Sequence, residues 1–165
     1  MSRLVWYACY GSNLNERRFL LYLKGGDASF FGVTITQNGA NDPKDPVSIK
    51  PYTFNHPICF MKHSKNWGGG VAFLDTQKSG LAYGKAYLIT EEQFQAVMEQ
   101  EGPWYPLSID LGMLDGYPVK TFTGICFNTT KPSQAYLNTI KEGLRDLGLK
   151  EEAIDAYLNP HGSME

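Results

Sequence analysis

The chain has 165 residues, a formal net charge of −2, 42% apolar and 13% aromatic residues. That is enough apolar material for one domain, 1–165, with a real core, and it lacks the basic excess that would draw in nucleic acid or an anionic membrane. No apolar run approaches the roughly 18–20 residues of a membrane span.

The first predicted element is the apolar run Leu4-Val5-Trp6-Tyr7-Ala8-Cys9, which reads as a buried strand. Met1-Ser2-Arg3 leads into it without a signal-peptide shape. It ends at Tyr10-Gly11-Ser12-Asn13-Leu14, and Leu14 to Leu23 reads as a helix. Gly11 can adopt a positive φ. Asn13 is a suitable N-cap, and Glu16 three residues on completes a capping-box-like pattern. A strand feeding a helix in this way directs free backbone N–H groups outward at the positive end of the helix dipole. The stretch is either an ordinary turn or an anion site.

Lys24-Gly25-Gly26-Asp27 stops the helix, and Ala28 to Thr36 reads as a strand. Gln37 to Pro51 carries three Pro with Asn, Asp and Gly. It reads as an exposed insertion, either a plain surface loop or a lid. Tyr52 to Met61 is strand-like. Trp67-Gly68-Gly69-Gly70 precedes a strand at Val71 to Leu74 and marks a tight turn or a close approach of a neighbour or ligand. Gly80 to Ile89 reads as a strand. Thr90-Glu91-Glu92-Gln93 is a capping box opening a helix that runs to Glu101 and stops at Gly102-Pro103. Leu107 to Leu111 and Pro118 to Phe127 read as strands. A third helix follows Thr129 to Ser133, with Tyr136, Leu137, Ile140, Leu144 and Leu147 on one side, and Lys150 to Leu158 is a short last one. The sum is an α+β domain.

Cys9, Cys59 and Cys126 are odd in number and lie in apolar runs. They are expected to be reduced core thiols of a cytoplasmic protein. His56, His63 and His161 lack ligand spacing, so no metal site is expected. Ser12 lacks a nucleophile elbow, and Cys9 has no evident histidine.

Glu101 stands apart. Phe94, Val97, Met98 and Glu101 fall at i, i+3, i+4 and i+7 and share one helix face. Three are apolar, so Glu101 is carried toward the core at the helix end that opposes its charge. Burial and dipole both raise its pKa, as a general acid/base requires. Glu101 either serves in that way or pairs with a base at the helix end; no Lys or Arg lies one turn away.

Tyr7-x-x-Tyr10-Gly11-Ser12-Asn13-Leu14, together with Glu99-Gln100-Glu101-Gly102, resembles the γ-glutamylcyclotransferase family. Trp67-x-Gly69-Gly70, Gly84 to Ile89, and Pro132-Ser133-x-x-Tyr136-x-x-x-Ile140-x-x-Gly143 with Gly148-Leu149 extend the likeness over most of the chain, in the same order. The resemblance implies a compact mixed β-barrel with flanking helices and a cavity at one side. It also implies a cofactor-independent enzyme of lyase or acyltransferase type. The α-amine of a γ-glutamyl group attacks its own γ-carbonyl, forming 5-oxoproline and releasing an amine or amino acid. Glu101 would be the acid/base. Backbone amides of Gly11, Ser12, Asn13 and Leu14 would hold the α-carboxylate or the oxyanion, and Tyr10 and Tyr105 would shape the pocket. Gly102 to Tyr105, shorter than in the animal enzyme, would lie near the leaving group. The expected partner is a small γ-glutamyl substrate. The alternative is a non-catalytic protein that binds a small ligand in the same cavity.

Overall fold

The computed structural model describes residues 3–162. In chain order the elements are β1 (Leu4–Cys9), a 3-10 turn (Ser12–Leu14), α1 (Glu16–Lys24), β2 (Gly26–Phe30), β3 (Val33–Gln37), β4 (Ser48–Phe54), β5 (Ile58–Ser64), β6 (Gly69–Leu74), β7 (Ala82–Thr90), α2 (Glu91–Glu101), β8 (Leu107–Leu114), β9 (Tyr117–Thr123), α3 (Gln134–Asp146) and α4 (Glu151–Gly162). Five strands form one mixed sheet in the order β4-β7-β1-β9-β8, and β2–β3 and β5–β6 are separate hairpins. The architecture is α+β as expected, but the sheet is open. The mixed β-barrel with flanking helices takes the form of this sheet and the two hairpins, without a closed ring of strands among the described residues.

β1 is the axis of the sheet. It pairs antiparallel with β7, setting Tyr7 opposite Tyr87, and parallel with β9, setting Trp6 opposite Val119. Val5 to Cys9 are all buried, as a central strand covered on both faces demands. Tyr7 and Tyr87 stack on Phe19 at ring separations of 5.5 and 4.0 Å, which docks α1 on the sheet. β8, at the edge, alternates half-buried and exposed residues along most of its length.

Several boundaries differ from the sequence reading. The stretch 28–36 is a hairpin rather than one strand, because Phe31-Gly32 turns it with positive φ at both residues. The apolar stretch 52–61 divides between β4 and β5. Within 38–47 the chain is a surface loop held down by Gln93, whose amide donates to the carbonyls of Asp42 and Lys44 at 3.0 Å each. Gln93 also completes the capping box with Thr90.

The glycines after Trp67 serve a neighbour. A Cβ on Gly70 would lie 2.2 Å from the Thr130 carbonyl oxygen, and one on Gly69 would lie 2.8 Å from the Lys131 carbonyl. The chain entering α3 therefore lies directly on β6. Cys59 and Cys126 form a disulfide there, and Cys9 alone is a free thiol among the described residues. The expectation of three reduced thiols is overturned, and the compartment inferred from them loses its basis. The sequence places Cys59 and Cys126 in separate apolar runs; only the packing of the segment after β9 on β5 brings them together. No helix among the described residues is long and apolar enough to cross a membrane.

Candidate active site

The C-terminal ends of β1 and α2, the inner face of α1, the two hairpins and the start of α3 surround a cavity of about 180 Å³. Tyr10, Gly11, Ser12, Asn13, Glu101 and Tyr105 all line it. Leu14 does not. It is fully buried, and Gly143 of α3 packs so closely that a Cβ there would meet the Leu14 carbonyl carbon at 2.4 Å. Of the stretch 37–51, Gln37 alone lines the cavity, so the loop beyond it does not act as a wall.

The turn after β1 is built differently from the expected cap. Gly11 has φ −116° rather than a positive value. It is needed for space, since a Cβ would sit 3.0 Å from the Tyr136 hydroxyl and 3.2 Å from Ala72 Cβ. Asn13 is not the N-cap. A 3-10 turn intervenes, and Asn15 caps α1 by accepting from the Arg18 amide. The Asn13 side chain is thereby released into the site. Its amide nitrogen donates to the Tyr7 hydroxyl at 3.1 Å and to Glu101 Oε1 at 3.3 Å.

The loop amides are only partly open. Leu14 N–H donates to the Gly11 carbonyl. The Ser12 amide faces the Tyr136 hydroxyl and favours its ionised form. Gly11 and Asn13 line the cavity.

Glu101 sits at the C-terminus of α2, on the face shared with the buried Phe94 and Val97. Tyr22 Oη donates to Glu101 Oε1 at 2.8 Å, so Oε1 receives both this bond and that from Asn13. No described residue donates to Oε2. Burial pushes the Glu101 carboxyl above its ordinary value, opposed by the Arg18 cation and by the bonds from Tyr22 and Asn13. No Lys or Arg lies one turn away along α2, as the sequence shows; the cation is Arg18 of α1, far away in sequence. The buried Tyr7, Tyr22 and Tyr105 hydroxyls are likewise pushed well up by loss of solvent.

Tyr10 and Tyr105 shape the walls. Their hydroxyls donate inward, to the carbonyls of Phe122 at 2.8 Å and Ala72 at 3.0 Å. Tyr136 does the opposite: its oxygen accepts from the Ala72 amide at 2.9 Å, and its proton has no acceptor among the described residues. Burial pushes its hydroxyl up to about 12, so it stays a donor. Three buried side-chain polar atoms lack a partner among the described residues, and two of them, Asn13 Oδ1 and Arg18 Nε, belong to cavity-lining residues. Unpaired buried polar atoms are costly. No cluster of His, Cys, Asp or Glu able to hold a metal occurs among the described residues.

Arg18, Tyr22 and Tyr136 were not singled out as site residues from sequence. Tyr136 hid in the apolar face of α3. A signal did exist for Arg18: it shares the inner face of α1 with Leu21 and Tyr22, where a charge is out of place.

No family model matches the chain. Histone deacetylase 5 of Arabidopsis thaliana is 29% identical over 201 residues, an alignment that spans 94% of this chain but 30% of that protein's length. Two solved structures are similar over nearly the whole chain. An uncharacterised protein from Homo sapiens superposes with a TM-score of 0.66 at 18% identity, covering 94% of this chain and 86% of that one. A gamma-glutamyl cyclotransferase superposes with a TM-score of 0.60 at 19% identity, covering 95% and 86%. The chain has the γ-glutamyl cyclotransferase-like fold.

Proposed function

We propose that the protein cyclises a γ-glutamyl amide to 5-oxoproline with release of an amine or amino acid, using Glu101 as general acid/base. The observation that carries this reading is the Glu101 carboxyl. It opens on the cavity with Oε1 held by two donors and Oε2 without one.

The chemistry follows from that asymmetry. Oε2 takes a proton from the substrate's α-ammonium. The freed amine attacks the γ-carbonyl carbon of the same residue, forming the ring C–N bond and an oxyanion. The bond to the leaving nitrogen then breaks as Oε2 returns the proton to it, the carbonyl re-forms from the oxyanion, and the surplus proton of the ring nitrogen passes by way of the regenerated carboxylate to the departing amine, which leaves as its ammonium. Because the nucleophile is tethered to the electrophile, the protein supplies orientation and proton transfer rather than a covalent nucleophile. Asn13 Oδ1 is a vacant acceptor suited to the ammonium. The Gly11 and Asn13 amides and the Tyr136 hydroxyl are donors suited to the α-carboxylate or the oxyanion.

The fold likeness to a gamma-glutamyl cyclotransferase supports the reading. The Arabidopsis deacetylase lends its name to a far longer protein, and the proposal rests on the cavity instead. The test is a panel of γ-glutamyl amino acids and γ-glutamyl amines with detection of 5-oxoproline. Release from at least one, lost in Glu101→Gln, supports the reading. Tight binding of such compounds without turnover would favour a ligand-binding protein.

A further inference from the structure

Arg18 is the odd residue of the site. It is a buried cation that makes no ion pair with any carboxylate among the described residues. Nη1 donates to Gln37 Oε1 at 3.2 Å, Nη2 donates to the Tyr22 hydroxyl at 2.8 Å, and Nε is unpartnered. A buried guanidinium without a direct ion pair is expensive, so it is kept for some effect. Tyr22 shows which one. Its oxygen accepts from Arg18, and this orients its single proton toward Glu101 Oε1, 2.8 Å away. The chain Arg18–Tyr22–Glu101 therefore runs in one direction, each hydrogen bond polarising the next.

We infer that Arg18 is a positioning residue for the general base. Acting through the Tyr22 hydroxyl, its guanidinium keeps the Glu101 carboxylate charged and pinned by Oε1, so that Oε2 is presented to the substrate.

The other groups that face Glu101 do not compete for this role. Tyr7 and Cys9 of β1, Tyr10, Tyr105 and Tyr136 all interact electrostatically with the carboxylate, and burial keeps each of them neutral. Asn13 is uncharged. Arg18 alone among these carries charge near neutral pH. Gln37 closes the arrangement from behind: while accepting from Arg18 it donates to Gln100 Oε1 at 2.9 Å, one residue before Glu101. Arg18 is thus held on the same framework that ends α2.

The test titrates Glu101 in the ligand-free protein by carboxyl-carbon NMR, the signal being assigned with Glu101→Gln. Arg18→Met and Tyr22→Phe are each expected to move the titration upward, because each removes something that favours the charged form. The double variant should move it no further than the larger single change, since both act on one chain. Arg18→Lys, which keeps the charge without the planar fork, should restore part of the shift. The kinetic readout rests on the proposed reaction. On the acid side of the profile, kcat/KM of Arg18→Met should fall about tenfold or more, and the gap should narrow as pH rises. An unmoved titration in both single variants overturns the inference. A raised KM with an unmoved titration overturns it too, and makes Arg18 a contact for the substrate itself. If Arg18→Met fails to fold, Tyr22→Phe, which retains the ring, decides alone. A wild-type protein that releases no 5-oxoproline sinks the proposed reaction, while the titration still judges the chain of hydrogen bonds.

Discussion

Two walls of the same cavity solve opposite problems. The wall made by α1 and the end of α2 is polar: Arg18, Tyr22, Gln100 and Glu101 form a hydrogen-bonded network, with a vacant Nε on Arg18. The wall made by β6 and the start of α3 is shaped by packing. Trp67 meets Tyr136 edge to face at 5.1 Å, Gly69 and Gly70 admit the backbone of 130–133, and Cys59–Cys126 ties the returning chain down. One wall holds charge where charge is costly; the other holds shape. Polar networks are specified by directional bonds between few atoms, whereas shape is specified by volume and covalent closure. The two should therefore fail differently.

The largest effect is expected on the polar wall. Glu101→Gln keeps an oxygen for the Asn13 and Tyr22 donors but cannot carry the proton. Turnover should fall by at least about a hundredfold, within the range of roughly 10²–10⁴ for acid/base catalysis, with little change in substrate affinity measured by calorimetry. Retained 5-oxoproline release would end the assignment. Stability should move the other way. Burial raises the Glu101 carboxyl in the folded chain, so its contribution is present below the unfolded value and is lost as pH rises through the folded one. The always-neutral glutamine escapes that loss. Melting curves should show Glu101→Gln no less stable than wild type at neutral pH, and a collapse there would make Glu101 a structural partner. By the same sign, the wild-type rate should drop as pH falls through the raised Glu101 value, because the base is then protonated.

The shape wall should lose stability before chemistry. Reducing Cys59–Cys126, or replacing both residues with Ser, opens a 67-residue separation and should cost about 2–4 kcal/mol in denaturant unfolding. At temperatures where the protein stays folded, turnover should change less than in Glu101→Gln. A turnover loss equal to that of Glu101→Gln, without a stability change, would erase the distinction between the walls.

Tyr136→Phe is the intermediate case, because this residue belongs to the shape wall yet offers a proton to the cavity. Removing its oxygen leaves the buried Ala72 amide without its acceptor and should cost about 1–3 kcal/mol. A further loss in kcat/KM would place its proton on the substrate. The smallest effects are expected at Glu99→Gln, an exposed position whose carboxylate accepts from Gln95, and on exhaustive chelation. Both should leave activity unchanged, and a loss restored by added metal would contradict the cofactor-free reading.

Much of the fold follows from patterns within single elements. The uninterrupted run 4–9 marks a strand covered on both faces, the Thr90–Gln93 capping box marks the start of α2, and Gly102, with φ 82°, marks its end. Glu101 was legible as an inward carboxylate for the same reason: a helix of known register sets the direction of its side chains. What depends on two distant segments meeting was not legible. The motif at 10–14 is plain in the sequence, yet which Asn caps the helix turns on a 3-10 turn that packs against Gly143 of α3.

The sequence by itself determined the α+β class, the helix that bears Glu101 and the small-residue turn at 10–14, because local periodicity and capping act over a few residues. Only the tertiary structure decided that the sheet stays open, that Cys59 meets Cys126, and that Arg18 and Tyr22 reach Glu101 from 83 and 79 residues away. Charge interaction and covalent pairing depend on distance in space, and no spacing along the chain encodes that distance.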